Sequence, residues 1–192
     1  YVIISLSILE VRKLEKNLDI LRPSMVRKSV ADIDFKELHQ YGLTRIVFDL
    51  DGTLAPNMSD KYDENVIYHI LEAQANLWIE DLCIVSNCGV FFFEKRVERF
   101  AKLLDAKYHA CKWPNPMKPD VAALMPALDK IGGTDKNAVI VGDQLEKDIL
   151  GGNSLDIHTI LVQTIGPIPI WKKWQYEKQL ELMKEMNITF SN

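Results

Sequence analysis

Short apolar runs alternate with longer amphipathic stretches through the middle of this chain. Five runs have the composition of buried β-strands, near residues 45–49, 82–86, 107–110, 138–142 and 158–162. The stretches between them repeat apolar residues every three or four positions, which is typical of helices that pack on one face. Buried strands that alternate with helices predict an α/β fold with a doubly wound parallel sheet.

The helical spacing gives approximate bounds for three helices of the core. One is predicted over residues 63–75, and a second carries Phe93, Val97, Phe100 and Leu104 at core spacing. A third is predicted from about residue 119 to 131, where Pro126 should cause a kink or an early break because proline lacks the backbone N–H of a helix interior.

Polar groups follow several of the predicted strands at the position where each strand ends. The groups, in chain order, are Asp49-Leu50-Asp51-Gly52-Thr53-Leu54, Ser86-Asn87, Lys118-Pro119, and Gly142-Asp143 with Asp148. The carboxyl ends of parallel strands lie at one edge of a sheet, which is where open α/β sheets bind ligands. The ordered set therefore predicts a site that handles phosphate.

Two carboxylates near the first strand suggest two different roles in phosphoryl transfer. Asp49 would emerge at the strand end as a nucleophile that forms an aspartyl phosphate. Asp51 lies two residues later and would face the same way in an extended chain. It is placed to protonate the leaving oxygen and then to activate water.

Phosphoryl transfer to a carboxylate concentrates negative charge in the site, so a divalent cation is expected nearby. Asp143 could share Mg²⁺ with Asp49 and Asp51, since an all-oxygen set that retains waters suits this ion. Asp148 follows by about one helical turn and is expected to support the metal ligands rather than to bind the ion directly.

The other motif residues complete the predicted site. Lys118 supplies a fixed positive charge, Ser86 hydrogen-bonds a phosphoryl oxygen, and Asn87 helps to orient the loop that carries Ser86. Lys112 is a rival for the lysine role because the stretch 112–117 is long. Lys118 fits better, since it directly precedes Pro119 and a helix.

These motifs resemble those of the haloacid dehalogenase superfamily of aspartyl-phosphate phosphatases, over about residues 43 to 165. The resemblance implies a Rossmann-like core and the roles given above for the motif residues. The gaps between the predicted strands hold one helix each and no cap domain. In this superfamily a missing cap favours large or surface-bound phosphate esters over free sugar phosphates.

A further set of phrases gives a closer resemblance, to the capless phosphatidylglycerophosphate phosphatases of bacteria and mitochondria. The phrases lie within residues 21–26, 30–34, 41–43, 141–148 and 151–153. The resemblance implies hydrolysis of phosphatidylglycerophosphate to phosphatidylglycerol, a step toward cardiolipin. It also implies a peripheral enzyme on the matrix side of the inner mitochondrial membrane, or in a bacterial cytoplasm, with a phospholipid as its partner and no nucleic acid.

The segments before and after the predicted core have the composition of contact surfaces. Residues 1–28 hold six basic and three acidic residues, although the whole chain has a net charge of −4. Their helical apolar spacing fits either a helix on an anionic bilayer or a helix packed on the domain. The extension 166–192 joins Trp171 and Trp174 to two lysines, which suits a membrane interface, a protein partner or domain packing.

Length and composition favour a single domain over residues 1–192, since 47% hydrophobic and 26% charged residues are ordinary for a globular enzyme. No apolar run is long enough to cross a membrane. The three cysteines are an odd number without paired spacing, which favours a reducing compartment. Zinc ligation by Cys83, Cys88, His109 and Cys111 is disfavoured because they lie on different elements.

Three functions remain open from the sequence. The first is a Mg²⁺-dependent phosphatase of a membrane phospholipid, and the second is the same chemistry on a soluble phosphoprotein or a nucleic-acid end. The third is a phosphatase-like accessory subunit that docks in a larger membrane-associated assembly through its terminal extensions. A phosphoacceptor receiver is a weaker rival, because it would lack Asp51 beside the nucleophile.

Overall fold

A single parallel sheet organises the computed structural model, which describes residues 18–89 and 93–190. Its strands are β1 (Met25–Arg27), β2 (Arg45–Asp49), β3 (Asp81–Gly89), β4 (Lys107–Lys112), β5 (Ala138–Gly142) and β6 (His158–Val162). Every neighbouring pair is parallel, and the order across the sheet is β1-β6-β5-β2-β3-β4. This architecture confirms the predicted α/β fold class.

Helices connect the strands. They are α1 (Phe35–Gln40), α2 (Glu64–Ala75), α3 (Glu94–Leu103), α4 (Val121–Ile131), α5 (Leu150–Asn153) and α6 (Lys173–Glu185). A π-helical segment, Leu145–Ile149, precedes α5, and 3₁₀ turns cover Leu18–Leu21, Val30–Asp32 and Ile170–Lys172. The early break considered at Pro126 does not occur, since α4 continues to Ile131. The buried side chains around Pro126, such as Leu124 and Leu128, hold the helix on the sheet.

The core lies on both faces of the sheet because successive strand residues point to opposite sides. In β2, Ile46 and Phe48 join a large cluster with α1, α2 and α3, whereas Val47 joins a second cluster with α4. Burial on both faces requires strands that are apolar throughout, which is the pattern that identified them in the sequence.

A third apolar cluster places the C-terminal extension on the domain. Met183 and Met186, at the end of α6, pack with Leu145 and Ile149 of the π-helical segment. Leu21 belongs to the same cluster, so the end of the N-terminal stretch also packs on the domain. The rest of the predicted basic helix falls in residues 1–17, which lie outside the described residues.

The described connections leave the carboxyl edge of the sheet without a cap. Between β2 and β3 the chain forms one helix, α2, and between β3 and β4 the described residues form one helix, α3. None of the helices in the described ranges is both long and apolar enough to cross a bilayer.

Candidate active site

The site lies where β2 meets its two neighbours at the carboxyl edge. β2 is flanked by β3 and β5. From β2 the chain continues to β3 on one side, whereas from β5 it continues to β6 on the other side of the sheet. Such a reversal of strand order opens a crevice beyond the strand ends. Asp49 is the last residue of β2, and Asp143 directly follows β5, so both carboxylates emerge at this crevice.

Two glycines allow the motif loops to approach each other closely. Gly52 has a φ of +100°, and a Cβ there would lie 2.2 Å from Oδ2 of Asp143. A Cβ on Gly142 would lie 2.2 Å from the carboxyl carbon of Asp148. Both positions need glycine because any side chain would displace a carboxylate of the site.

Lys118 joins two of the carboxylates in a buried ion-paired cluster. Its Nζ donates to Oδ1 of Asp49 at 2.5 Å, to Oδ1 of Asp148 at 2.6 Å, and to the carbonyl oxygen of Val85 at 3.3 Å. Burial would lower the pKa of Lys118, but the carboxylates of Asp148 and Asp49 outweigh burial and raise it. The lysine is therefore a permanent positive charge beside Asp49.

Asn87 holds the backbone of the lysine. Its side-chain Oδ1 accepts from the Lys118 N–H at 2.9 Å, and its Nδ2 donates to the Lys118 carbonyl at 3.0 Å. These two bonds tie the loop after β4 to the end of β3. Lys112, the rival lysine, instead places its Nζ 2.6 Å from Oε2 of Glu94.

Asp143 is buried with neutral hydrogen-bond partners. Thr164 donates its hydroxyl to Oδ2 at 2.8 Å, and the side-chain amide of Gln144 lies 3.5 Å from Oδ1. Burial, together with the negative charges of Asp49 and Asp148, raises the pKa of Asp143 to about 7. The cluster therefore carries more negative charge than Lys118 balances.

The donor set fits a hard divalent cation. Oxygen atoms of Asp49, Asp143 and Asp148 lie within 4.8 Å of one another, and all three residues are buried. Asp148 uses Oδ1 for Lys118 and Oδ2 to accept the Gln144 N–H at 3.1 Å. Because both oxygens of Asp148 are engaged in this way, Asp49 and Asp143 are the better candidates for Mg²⁺, which binds through few carboxylates and retains waters.

Asp51 lies outside that group of three and is held separately. Its carboxylate accepts the Met58 N–H at 2.7 Å and lies 2.9 Å from the Arg96 guanidinium through either oxygen. Arg96 also donates to the carbonyl of Ser59 at 2.7 Å, so it connects α3 to the loop after β2. The metal-binding role of the Asp51 side chain stays a prediction.

Ser86 is buried in β3, one residue beyond Val85, the register partner of Asp49. The strand continues past it to Gly89, further than the sequence predicts. Within the described residues its hydroxyl forms no hydrogen bond to Asp49 or Lys118, so its role toward a phosphoryl oxygen also stays a prediction.

Three residues of the site surroundings were missed by sequence reasoning. Arg96 contacts Asp51, and Thr164 contacts Asp143. Gln179 of α6 is buried, donates Nε2 to the Asp143 carbonyl at 2.8 Å, and accepts the Leu145 N–H at 2.9 Å. No local motif signals these residues, because each lies 21 to 45 positions from its partner.

A cavity opens beside Asp143 between the π-helical segment and the C-terminal extension. Its lining includes two lysines, Lys147 and Lys172, together with Asn57 and Tyr176. The C-terminal extension therefore forms one wall of the site region, although it lies beyond the last motif.

Comparisons with known proteins give one partial family match and one similar protein of named function. The model of the HAD-hydrolase-like family matches residues 117–166. The probable phosphatase YqeG of Bacillus subtilis (strain 168) is 29% identical over 152 residues, which cover 75% of this chain and 78% of that protein.

Two solved structures are similar at a greater distance. An uncharacterized protein from Listeria monocytogenes serotype 4b is 23% identical with a TM-score of 0.49, covering 74% of this chain and 99% of that one. The p-nitrophenyl phosphatase from Archaeoglobus fulgidus is 13% identical with a TM-score of 0.28, covering 94% and 85%. The family model thus matches the part of the chain that carries Lys118 and Asp143, two residues of the motifs that resemble those of the haloacid dehalogenase superfamily.

Proposed function

We propose that this protein is a Mg²⁺-dependent phosphatase that hydrolyses a phosphate monoester through an aspartyl phosphate on Asp49. The observation that carries the proposal is the buried contact of Lys118 with Asp49, next to Asp143, at the carboxyl edge of the sheet. The similarity to a probable phosphatase supports the same reaction class.

The geometry indicates how Asp49 would act. Oδ1 of Asp49 is engaged by Lys118, whereas Oδ2 has only the hydroxyl of Thr53 at 3.5 Å. Oδ2 is therefore the oxygen available to attack phosphorus. As the new P–O bond forms, the ester P–O bond breaks, and Asp51 gives its proton to the departing alkoxide oxygen.

The second half of the reaction returns the enzyme to its starting state. Asp51, now a carboxylate, accepts a proton from a water molecule as that water attacks the phosphorus atom. The bond between Asp49 and phosphorus breaks, which releases inorganic phosphate and restores the Asp49 carboxylate. Because Arg96 and the Met58 N–H fix Asp51, its carboxylate is held near the same place for both proton transfers.

Charge balance at the phosphoryl group depends on Lys118 and on the metal. Asp49 and Asp143 would hold Mg²⁺, which when bound offsets negative charge on the transferring phosphoryl oxygens. Lys118 needs no reorganisation to act, since its ammonium is already fixed by three acceptors.

For the substrate we propose phosphatidylglycerophosphate, presented at a membrane surface. The described residues form no cap over the site, so a headgroup could reach it from the bilayer. Large apolar side chains are exposed beside the lysine-lined cavity: Ile170 is 84% exposed, Trp171 71% and Trp174 70%. Tryptophans next to lysines suit the headgroup region of a bilayer. The inner mitochondrial membrane stays a prediction.

The decisive experiment measures Mg²⁺-dependent phosphate release from phosphatidylglycerophosphate in vesicles and from soluble p-nitrophenyl phosphate. The variants are Asp49→Asn and, as a control, Asp135→Asn, which alters an exposed carboxylate before β5 at the opposite edge of the sheet. We expect wild type and Asp135→Asn to hydrolyse the lipid and Asp49→Asn to be inactive.

Other outcomes select between the remaining functions. Hydrolysis of p-nitrophenyl phosphate alone would retain the chemistry and reject the lipid substrate. Equal activity of Asp49→Asn and wild type would reject Asp49 as nucleophile. If the folded wild type hydrolyses neither compound with Mg²⁺ present, the accessory-subunit function gains support.

A further inference from the structure

The cavity beside Asp143 contains positive charge that the hydrolysis reaction does not use. Lys118 is the lysine of the phosphoryl site, and it is fully engaged by its three acceptors. Lys147 and Lys172 line the cavity together with Asp143, one from the π-helical segment and one from the turn before α6.

Neither cavity lysine is neutralised by a carboxylate in direct contact. Across residues 18–89 and 93–190, Lys147 forms no side-chain hydrogen bond or ion pair. Lys172 donates to Oδ1 of Asn57, a neutral amide. Glu146, which lines the cavity together with Asp143, is paired with Lys178. Two adjacent cations are favourable when an anion lies between them, because the attraction then exceeds their mutual repulsion.

Polar side chains around the lysines suit an anionic ligand with oxygen atoms. Tyr176 and Gln175 line the same cavity and can donate hydrogen bonds to phosphate oxygens. Because Asp143 and Thr164 also line this cavity, a group bound there would lie close to the proposed metal ligands.

We propose that Lys147 and Lys172 form a subsite for a second anionic group of the substrate, a phosphate diester or second phosphate ester carried by the same small alcohol. This inference rests on the proposed function, and it makes the enzyme selective for bis-anionic phosphate esters over simple phosphomonoesters. Such an ester could be a lipid headgroup with a diester phosphate or a soluble bisphosphate.

The test measures binding separately from hydrolysis. All variants are made in the Asp49→Asn protein, which we expect to bind the ester without turnover. Calorimetry with Mg²⁺ present compares glycerophosphoglycerol phosphate, the deacylated headgroup with two phosphates, with glycerol 3-phosphate, which has one. Lys147→Gln and Lys172→Gln remove the cavity charges, and Lys173→Gln is the control because Lys173 follows Lys172 directly, is exposed and lies near Glu177.

We expect each cavity variant to lower the affinity for the headgroup by about tenfold or more relative to its effect on the affinity for glycerol 3-phosphate. A loss of this size is expected when one charge-assisted hydrogen bond is removed. Lys173→Gln should bind both compounds as the parent does. Lys147→Arg, which keeps the charge, should recover part of the selectivity, and circular dichroism should show that every variant is folded.

Several results would overturn the subsite. They are equal weakening of both compounds, no weakening of either, or no headgroup binding by the parent protein. Failure of the proposed function is detected in a separate measurement. It would appear if the wild-type protein binds the headgroup but releases no phosphate from it. Co-sedimentation with phosphatidylglycerophosphate vesicles separates the ligand sources, since headgroup binding without vesicle binding assigns a soluble bisphosphate.

Discussion

Asp143 is a buried carboxylate whose direct hydrogen-bond partners are neutral. In the metal-free protein this environment lowers the free energy of unfolding when Asp143 is ionised. Its pKa rises from an ordinary value of 3.8 to about 7 in the folded state. Between these values the folded protein retains a proton that the unfolded chain has lost. The free energy of unfolding therefore falls as the pH rises through this range, and it stays low above pH 7.

The first prediction concerns Asp143→Asn. Without metal at pH 8, this variant should unfold at a higher temperature than wild type, with a gain on the order of 2 kcal/mol. Added Mg²⁺ should raise the melting temperature of wild type and of Asp135→Asn, but not that of Asp143→Asn. Thermal unfolding at pH 5 and pH 8, with and without Mg²⁺, checks both statements. A Mg²⁺ stabilisation that survives in Asp143→Asn would remove Asp143 from the metal site.

The second prediction concerns Arg96, which holds Asp51 and two backbone carbonyls of the loop after β2. Arg96→Lys should lower kcat by about tenfold to a hundredfold, because one ammonium cannot reproduce the planar fork of the guanidinium. KM for p-nitrophenyl phosphate should change less than kcat, since the contact is to Asp51. Arg99→Lys is the control, because Arg99 is exposed and pairs with Asp60. An unchanged kcat in Arg96→Lys would show that Asp51 needs no such positioning.

At the residue scale the sequence predicted groups that belong to local motifs. Asp49, Lys118 and Asp143 converge at one edge because each follows a strand of the same parallel sheet. Arg96 could not be predicted in this way, since its position in α3 reads as a solvated charge beside the core positions Val97 and Phe100. Arg96 meets Asp51 only in the folded protein, where it connects α3 to the loop after β2.

Helix α6 is the element that extends the site beyond the motifs. It contacts the loop after β5 through Gln179, which satisfies one buried N–H and one buried carbonyl of that loop. Unsatisfied backbone groups in such places are destabilising, so the helix stabilises the conformation that presents Asp143.

The third prediction is that Gln179→Ala lowers the free energy of unfolding on the order of 2 to 4 kcal/mol, since two buried backbone groups lose their partner. It should also weaken the Mg²⁺-dependent rise in melting temperature, because Asp143 is no longer held in place. Urea unfolding and thermal shift with Mg²⁺ measure the two effects. Glu181→Ala, an exposed change on the same helix, should do neither. Equal behaviour of the two variants would show that α6 packs without supporting the site.

The strands were predicted more accurately than their surroundings. Strands β2, β5 and β6 match the apolar runs in the sequence. β1 was missed because three residues are too few to show a periodicity, and its pairing with β6 is set by contacts distant in sequence. β3 runs three residues beyond the predicted end, since its pairing with β4 continues past Ser86.

At the scale of the whole molecule, several of the exposed apolar side chains lie on segments that follow the carboxyl ends of strands. Trp113 directly follows β4, Met58 lies in the loop after β2, and Ile170, Trp171 and Trp174 follow β6. The proposed catalytic residues lie at the same edge. A surface that docks there would meet the site directly.

The fourth prediction is that Trp171→Ala with Trp174→Ala weakens binding to vesicles that contain anionic lipids by about tenfold or more, because burying two indole rings is a main source of interfacial affinity. Hydrolysis of p-nitrophenyl phosphate should be little changed. Co-sedimentation at low and high salt measures the binding. Tyr68→Ala, which removes an exposed aromatic ring from α2, serves as the control. Vesicle binding equal to wild type would assign the tryptophans to a protein partner instead.

The pairing of β1 with β6 has a consequence for synthesis of the chain. Ser24 and Thr159 exchange hydrogen bonds across this pair although they are 135 positions apart. At translation rates of about 5–20 residues per second, the partner strand is synthesised roughly 7 to 26 seconds after residues 25–27. β2 and β3 can meet much earlier. A ribosome that stalls before residue 158 would therefore carry a nascent chain whose β1 has no strand to pair with, and which chaperones or proteases could recognise at that edge.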